Sequence, residues 1–167
     1  MTEQHAKKQL QWALEYRHWK RKDWDKVIWS DESAVRVDSD PRQVWIFRHS
    51  NQQEKYDPKN VCGHSKSGFT SQMIWGCFAG TKLGPIVFID VSITWDVYVS
   101  ILRDNLLSYM DALIEDGASG MMFQQDNACP HASPKTTNWL EKELEKRGFL
   151  LMKWPPNSPD MNLIEHL

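Results

Sequence analysis

"MMFQQDNACPH", residues 121–131, is a short apolar run that breaks off in two glutamines, an aspartate and an asparagine. Met121, Met122 and Phe123 have the character of a buried strand. Ser133 followed by Pro134 is the signature of a helix start. A strand that leaves a hydrophobic core and delivers Asp126 and then His131 at its tip has two readings. Either the chain is returning to water, where polar residues cost little, or a rigid scaffold is holding functional groups at its edge.

The flanking elements set the architecture. Upstream, "KVIWSDESAVRV" (26–37) is β-rich with Asp31 in its middle, and "RQVWIF" (42–47) follows the turn-forming "DSDP". "SQMIWGCFAG" (71–80) and "GPIVFID" (84–90) are two further strands punctuated by glycine. Thr94 is placed to cap a long helix on which Val97, Tyr98, Ile101, Leu102, Leu106, Tyr109, Met110 and Leu113 line one face. After the strand at 121–126, a helix starts at Ser133, turns Trp139, Leu140 and Leu144 inward and stops at Gly148. "FLLMKW" (149–154) is a buried strand, "PPNSP" (155–159) a stiff loop, and "DMNLIEHL" the first turn of a helix. The first 22 residues read as a helix with Leu10, Ala13, Leu14 and Arg17 at helical spacing. Antiparallel strands followed by αβαβ crossovers imply an α/β fold with a mixed sheet whose first three strands are antiparallel and whose two faces carry helices. That arrangement is similar to the ribonuclease H-like fold, which by itself does not fix function.

The bulk properties narrow the classes. A chain of 167 residues with 41% apolar and 25% charged residues is an ordinary globular composition, large enough to bury a core. No apolar run approaches the roughly 20 residues of a membrane span, so no membrane partner is expected. Cys62, Cys77 and Cys129 are odd in number and form no CxxC pair, which speaks against a disulfide framework or a zinc site. The net charge of −2 exerts no global pull on nucleic acid, so any such contact needs local patches. The basic "RHWKRK" at 17–22 (Arg17, Lys20, Arg21, Lys22) and Lys142 to Arg147 are the candidates. The same basic run at 17–22 also suits a solvated helix C-terminus. The nine tryptophans read as core packing.

In a sheet of this order Asp31 and Asp126 lie on neighbouring strands, and Glu165 in "NLIEHL" can approach from the side. Three crowded carboxylates repel unless a cation lies between them, and an all-oxygen donor set suits Mg²⁺ or Mn²⁺. Each acid also has a plain structural reading. Asp31 beside Glu32 fits edge-strand polarity, and Asp126-Asn127 fits a turn. Asn162 and Glu165 fit a capping box, with Asn162 as N-cap.

"DWDKVIWSDES", "RQVWIFR", "MIWGCFAGTKLGPIVFID", "YVSILRDNLL", "FQQDNACPHAS" and "LMKWPPNSPDMNLIEHL" follow one another through nearly the whole chain. In this order they resemble the catalytic domain of mariner-type (Tc1/mariner superfamily) transposases, cut-and-paste DNA transposases with an Asp-Asp-Glu triad. The combination of "QQDN…PH" with "WP..SPD.N.IE" is highly specific. The resemblance implies a ribonuclease H-like fold and two divalent ions, Mg²⁺ or Mn²⁺, held by Asp31, Asp126 and Glu165. Such a pair, about 3.5–4 Å apart, serves phosphoryl transfer by activating the attacking oxygen and stabilising the leaving one. Water would attack a phosphodiester at the transposon end, and the freed 3′-hydroxyl would then attack target DNA. The implied partners are double-stranded DNA, as transposon ends and target, and further copies in a homodimer or larger assembly. His131 matches a family histidine that orients a carboxylate, contacts phosphate or packs; Asn127 is expected to support the ligands from behind. The implied location is the nucleus in a eukaryote, otherwise the cytoplasm with the chromosome.

Three departures from the family pattern stand out. Between Asp126 and Glu165 lie 38 residues, a few more than in familiar members, with the surplus around "EKELEKRG". Leu163 stands where the family usually has proline, a small cost for a good helix former. The chain also stops two residues after Glu165 and lacks the family's N-terminal helix-turn-helix region. The resemblance therefore reads residues 1–25 as a linker helix leading from an absent DNA-binding region. It reads 26–167 as a C-terminally truncated catalytic domain, without recognition of specific ends. Two other readings compete. One is a truncated, catalytically inactive transposase-derived DNA-binding or interaction module. The other is a ribonuclease H-like nuclease acting on hybrids, against which the "SPD.N.IE" block speaks.

Overall fold

The computed structural model describes residues 2–36 and 71–166. The chain divides into two compact units, Met1–Ser33 with Met73–Leu167, and Ala34–Gln72. Residues 1–25, expected as a linker, belong to the same unit as most of the sheet, and the candidate site lies within that unit.

Five strands, β1 (Val27–Arg36), β2 (Ser71–Ala79), β3 (Lys82–Ile89), β4 (Met122–Phe123) and β5 (Leu150–Leu151), form one sheet in the order β3-β2-β1-β4-β5. β2 and β3 are antiparallel, whereas β1 pairs parallel with β4 and β4 parallel with β5. The β2–β3 turn begins at Gly80, whose φ of 58° suits glycine. The expected strand at 42–47 lies outside the described residues. Among the described residues the α-helices are α1 (Glu3–Tyr16), α2 (Arg21–Trp24), α3 (Trp95–Ile101), α4 (Leu107–Glu115) and α5 (Pro134–Lys146), and a π turn, Leu102–Leu106, joins α3 to α4.

Alternation along the strands sends neighbouring side chains to opposite faces. Ile28, Trp75, Cys77, Ile89 and Phe123 meet Tyr98, Leu102, Leu106, Met110, Leu113, Leu140 and Leu144 on one face. Val27, Trp29 and Met152 meet Trp12, Tyr16, Trp19, Trp24 and Trp154 on the other. Full burial of such side chains stabilises by about 1.5–3 kcal/mol each, which is why the sheet centre is the rigid part of the molecule.

Several expectations need revision. Leu10 and Leu14, at helical spacing in the first helix, are 61% and 49% exposed. α1 docks instead through Trp12 and Tyr16, whose rings offer more area and join a chain of aromatic contacts with Trp19, Trp24 and Trp154. The helix ends at Tyr16 with Arg17 as its C-cap, so the basic run at 17–22 begins at a helix C-terminus and continues through a turn into α2. Thr94 precedes α3, but its hydroxyl bonds the Asp96 carboxylate and leaves the helix amides uncapped. Ser133 does cap α5, accepting from Thr136 N at 3.1 Å. At the far end Phe149 N reaches Leu144 O beyond Gly148, whose φ is 69°. The expected strand at 121–126 is confined to Met122–Phe123, and the C-terminal turn, Leu163–His166, is 3₁₀.

Candidate active site

β4 is short because a side chain takes over its ladder. Beyond Phe123, the Ser30 amide donates to Gln124 Oε1 (3.3 Å) and the Ser30 hydroxyl donates to the Gln124 carbonyl (2.8 Å). Both residues are buried. Replacing ladder bonds with a side-chain amide holds β1 and the chain leaving β4 together just where they emerge from the core. The next residue of β1 is Asp31, and two residues past Gln124 comes Asp126.

Asp31, Asp126 and Glu165 line one cleft of about 360 Å³, together with Asn127, Asn162 and the 154–159 loop. Asp31 accepts from the Glu32 amide through Oδ1 (2.7 Å) and from Asn162 Nδ2 through Oδ2 (2.8 Å). Burial pushes its carboxyl up to about 6 against the Glu32 amide bond, and the charges of Glu165, Glu32 and Asp126 push the same way. The fold thus concentrates negative charge where the cleft opens. Glu165 is exposed, on the 3₁₀ turn. Among the described residues no three His, Cys, Asp or Glu side chains stand close enough together to hold a metal ion unaided.

Asp126 is half-exposed, and its contacts fall on Oδ1: Ala128 N at 2.9 Å and His131 Nδ1 at 2.5 Å. Burial raises its carboxyl, but the hydrogen bonds from His131 and Ala128 outweigh that and hold it below the usual range. His131 is buried, its ring stacked on Tyr98 at 3.9 Å between centroids, with Nε2 facing Glu32 Oε1 at 3.4 Å. Burial favours neutral imidazole, yet the hydrogen bond to Asp126 and the nearby carboxylates of Glu32 and Asp126 prevail and raise it to about 9. Tyr98 in turn donates to Gln125 Oε1 (2.9 Å), and Gln125 Nε2 donates to the His131 carbonyl (3.3 Å). The imidazolium is therefore clamped between two acids and a ring. The 3.4 Å approach to Glu32 is an ion-pair contact too poorly formed for a hydrogen bond. Glu32 Oε1, Gln124 Nε2 and Asn162 Oδ1 are buried without a hydrogen-bond partner among the described residues, each at a cost of about 1–3 kcal/mol.

The three acids read from the sequence thus share a cleft, and Asn127 lines it too, donating to the Trp154 carbonyl (3.0 Å). Arg17, Lys20, Arg21 and Lys22 are not among its lining residues. Arg21 instead borders a separate cavity of about 560 Å³ with Trp12, Trp24 and Trp29. The basic stretch at 142–147 is largely neutralised, since Arg147 pairs with Asp111 and Glu143 and Lys146 pairs with Glu143. The expected capping role of Asn162 is wrong. Its Nδ2 points at Asp31 and the Ser30 carbonyl (3.3 Å), away from the turn that follows it. Glu32, Gln124 and Asn162 are the residues that reading by sequence missed; their one signal is adjacency to the acids. α1 also serves the cleft: Trp12 Nε1 bonds the Lys153 carbonyl (2.8 Å), and Gln9 Nε2 bonds Asn157 O and Ser158 Oγ (both 2.9 Å), fixing the loop that forms one wall.

A mixed sheet of this order, with Asp31 midway along β1 and Asp126 just beyond the end of β4, is the arrangement of the ribonuclease H-like fold. Residues 26–167 match the family model of the DDE superfamily endonucleases, and the chain belongs to that family. It is 34% identical over 93% of its length to the Tc1 transposase of Caenorhabditis elegans, covering 54% of that protein. The chain therefore spans about half the length of the curated relatives it matches. Its fold is similar to the Mos1 transposase in a paired-end complex with the left transposon end, with a TM-score of 0.72 at 12% identity, over 99% of this chain and 47% of that one. It is likewise similar to the Mos1 transposase catalytic domain solved with raltegravir and Mg, with a TM-score of 0.63 at 10% identity, over 99% of this chain and 69% of that one.

Proposed function

We propose that this chain is the catalytic domain of a cut-and-paste DNA transposase, hydrolysing phosphodiesters at transposon ends and joining the freed 3′-hydroxyl to target DNA. The observation that carries the proposal is the convergence of Asp31, Asp126 and Glu165, from three separate segments, on one cleft. Three carboxylates drawn to one cleft repel one another, and a cation between them relieves that repulsion. The donors are hard oxygens, which fit two Mg²⁺ or Mn²⁺ ions held by these three residues. When bound, such ions polarise the phosphate and activate the attacking oxygen. The chain's own residues do the rest. Asn162 and the Glu32 amide fix Asp31, while His131 fixes Oδ1 of Asp126 and leaves Oδ2 to the cleft. Asn127 sits beside Asp126 at the cleft wall. With no three of the described side chains close enough to hold an ion unaided, phosphate oxygens of DNA would supply the remaining donors.

That same spacing favours a second reading, an inactive transposase-derived module that binds DNA or protein. Calorimetric titration of Mn²⁺ into the parent and Asp126→Asn, with and without a short DNA duplex, separates the two. Binding by the parent that the variant loses supports the catalytic reading, and nicking of supercoiled plasmid by the parent alone would extend it. A folded parent that binds no Mn²⁺ even with DNA overturns it in favour of the second.

A further inference from the structure

Each of the three acids has a buried polar residue close by in sequence: Ser30 just before Asp31, Gln124 two before Asp126, and Asn162 three before Glu165. These three are bonded to one another. Gln124 Oε1 and its carbonyl take the amide and hydroxyl of Ser30, and the Ser30 carbonyl takes Asn162 Nδ2 at 3.3 Å. Asn162 Nδ2 also reaches Asp31 Oδ2 at 2.8 Å. One amide nitrogen, 2% exposed as a residue, therefore ties the backbone of β1, the carboxylate of Asp31 and the turn bearing Glu165.

We propose that Asn162 is a positioning residue: its side chain sets the orientation of the Asp31 carboxylate and the distance of the Glu165 turn from it, by way of the Ser30–Gln124 tie. Three features set it apart from a packing residue. Its Nδ2 is shared between two acceptors on β1, 131 and 132 residues away in sequence. Its Oδ1 is buried without a hydrogen-bond partner among the described residues, so the amide is oriented by its donor end alone. The turn that follows begins without using the side chain as a cap, since only the Asn162 carbonyl serves it, accepting from Glu165 N at 3.2 Å. Partners that orient a metal-binding carboxylate change metal affinity by about 10–100-fold when removed.

The inference rests on the reading of Asp31 as a cation ligand, and the experiment keeps the two apart. Mn²⁺ binding to the full chain is followed by electron paramagnetic resonance for the parent, Asp126→Asn, Asn162→Ala, Asn162→Asp and Gln9→Ala. Gln9→Ala loosens the same loop from the α1 side without touching Asp31. The expected result is binding by the parent, loss in Asp126→Asn, and weakening of about 10–100-fold in Asn162→Ala with Gln9→Ala within about twofold of the parent. Asn162→Asp, nearly isosteric, tests the case in which Asn162→Ala fails to fold: without the donor it must also bind Mn²⁺ differently from the parent. Parent-like binding in both Asn162 variants overturns the positioning role while the cation site stands. Equal weakening in Gln9→Ala and Asn162→Ala reduces Asn162 to an anchor for the loop and also overturns it. Equal binding by the parent and Asp126→Asn overturns the site reading itself, and the positioning role falls with it. A metal-free readout accompanies these: the Asn162 side-chain amide resonances must move in Asp31→Asn, and their failure to move contradicts the contact.

Discussion

His131 Nδ1 stands 2.5 Å from Asp126 Oδ1 while its ring lies 3.9 Å from that of Tyr98. The histidine that follows the second acid by five residues is thus part of the wall behind that acid, buried among Asp126, Glu32 and Tyr98. Its position makes the stability of the fold and the geometry of the cleft depend on one side chain.

Replacement of His131 by alanine is expected to lower the unfolding free energy by about 3 kcal/mol, because it empties a stacked site and strands the Glu32 carboxylate. Urea denaturation monitored by tryptophan fluorescence measures it. The pH dependence has a defined sign. The folded value, about 9, lies above the ordinary histidine value of 6.5, so the stabilisation from His131 is complete below about 6.5 and is lost as pH rises through about 9. In chelator, the parent should lose stability across that window and His131→Phe should lose much less.

Asp31 gives a pH dependence of the same sign in a more acidic window, although here the charged form is the destabilising one. Its folded value, about 6, is raised from 3.8, so ionisation of this group weakens the metal-free fold as pH rises from about 4 through 6. Asp31→Asn should raise the metal-free melting temperature by a few degrees at pH 7.5, about what a kcal/mol is worth in a domain of this size, and the difference should shrink at pH 4. Differential scanning calorimetry in chelator is the measurement. The same variant should lose Mn²⁺ binding.

Gly84 on β3 leaves no room for a methyl group. A Cβ there would fall 2.5 Å from Cys77 Sγ and 2.7 Å from the Cys77 carbonyl, next to the register shift between Gly76 and Phe78. Gly84→Ala should cost about 1–3 kcal/mol in chemical denaturation, since the obstacle includes backbone that cannot rotate away.

The described cysteines should differ sharply in reactivity. Cys77 is buried, and burial pushes its thiol up to about 12, whereas Cys129 is exposed. Iodoacetamide at pH 8, with the products mapped by mass spectrometry, should modify Cys129 in the native protein and Cys77 only in denaturant.

Much of the architecture was legible from local pattern. β-rich runs punctuated by turn residues and glycine at 26–37, 71–80 and 84–90 marked strands, and the stripe from Val97 to Leu113 marked a helix face, because burial on one side imposes a period on the helix. Ser133, Pro134 and Gly148 marked the bounds of α5 because caps need particular side chains at particular places. Spacing marked α1 as a helix without saying that it docks through Trp12 and Tyr16, and it failed at 124–126, where Gln124 replaced the ladder with its own amide.

By itself, the sequence determined which carboxylates this protein carries and, through the order of its motifs, the family to which the chain belongs. Only the tertiary structure decided what surrounds them. The bonds that fix Asp31 come from Asn162, 131 residues away, and the acid facing His131 besides Asp126 is Glu32, whose neighbourhood suggested only surface polarity. Periodicity and capping report short-range energies, which repeat along the chain. Hydrogen bonds between segments brought together by a parallel sheet leave no such repeat, because a buried amide needs only one partner and that partner lies at any sequence distance.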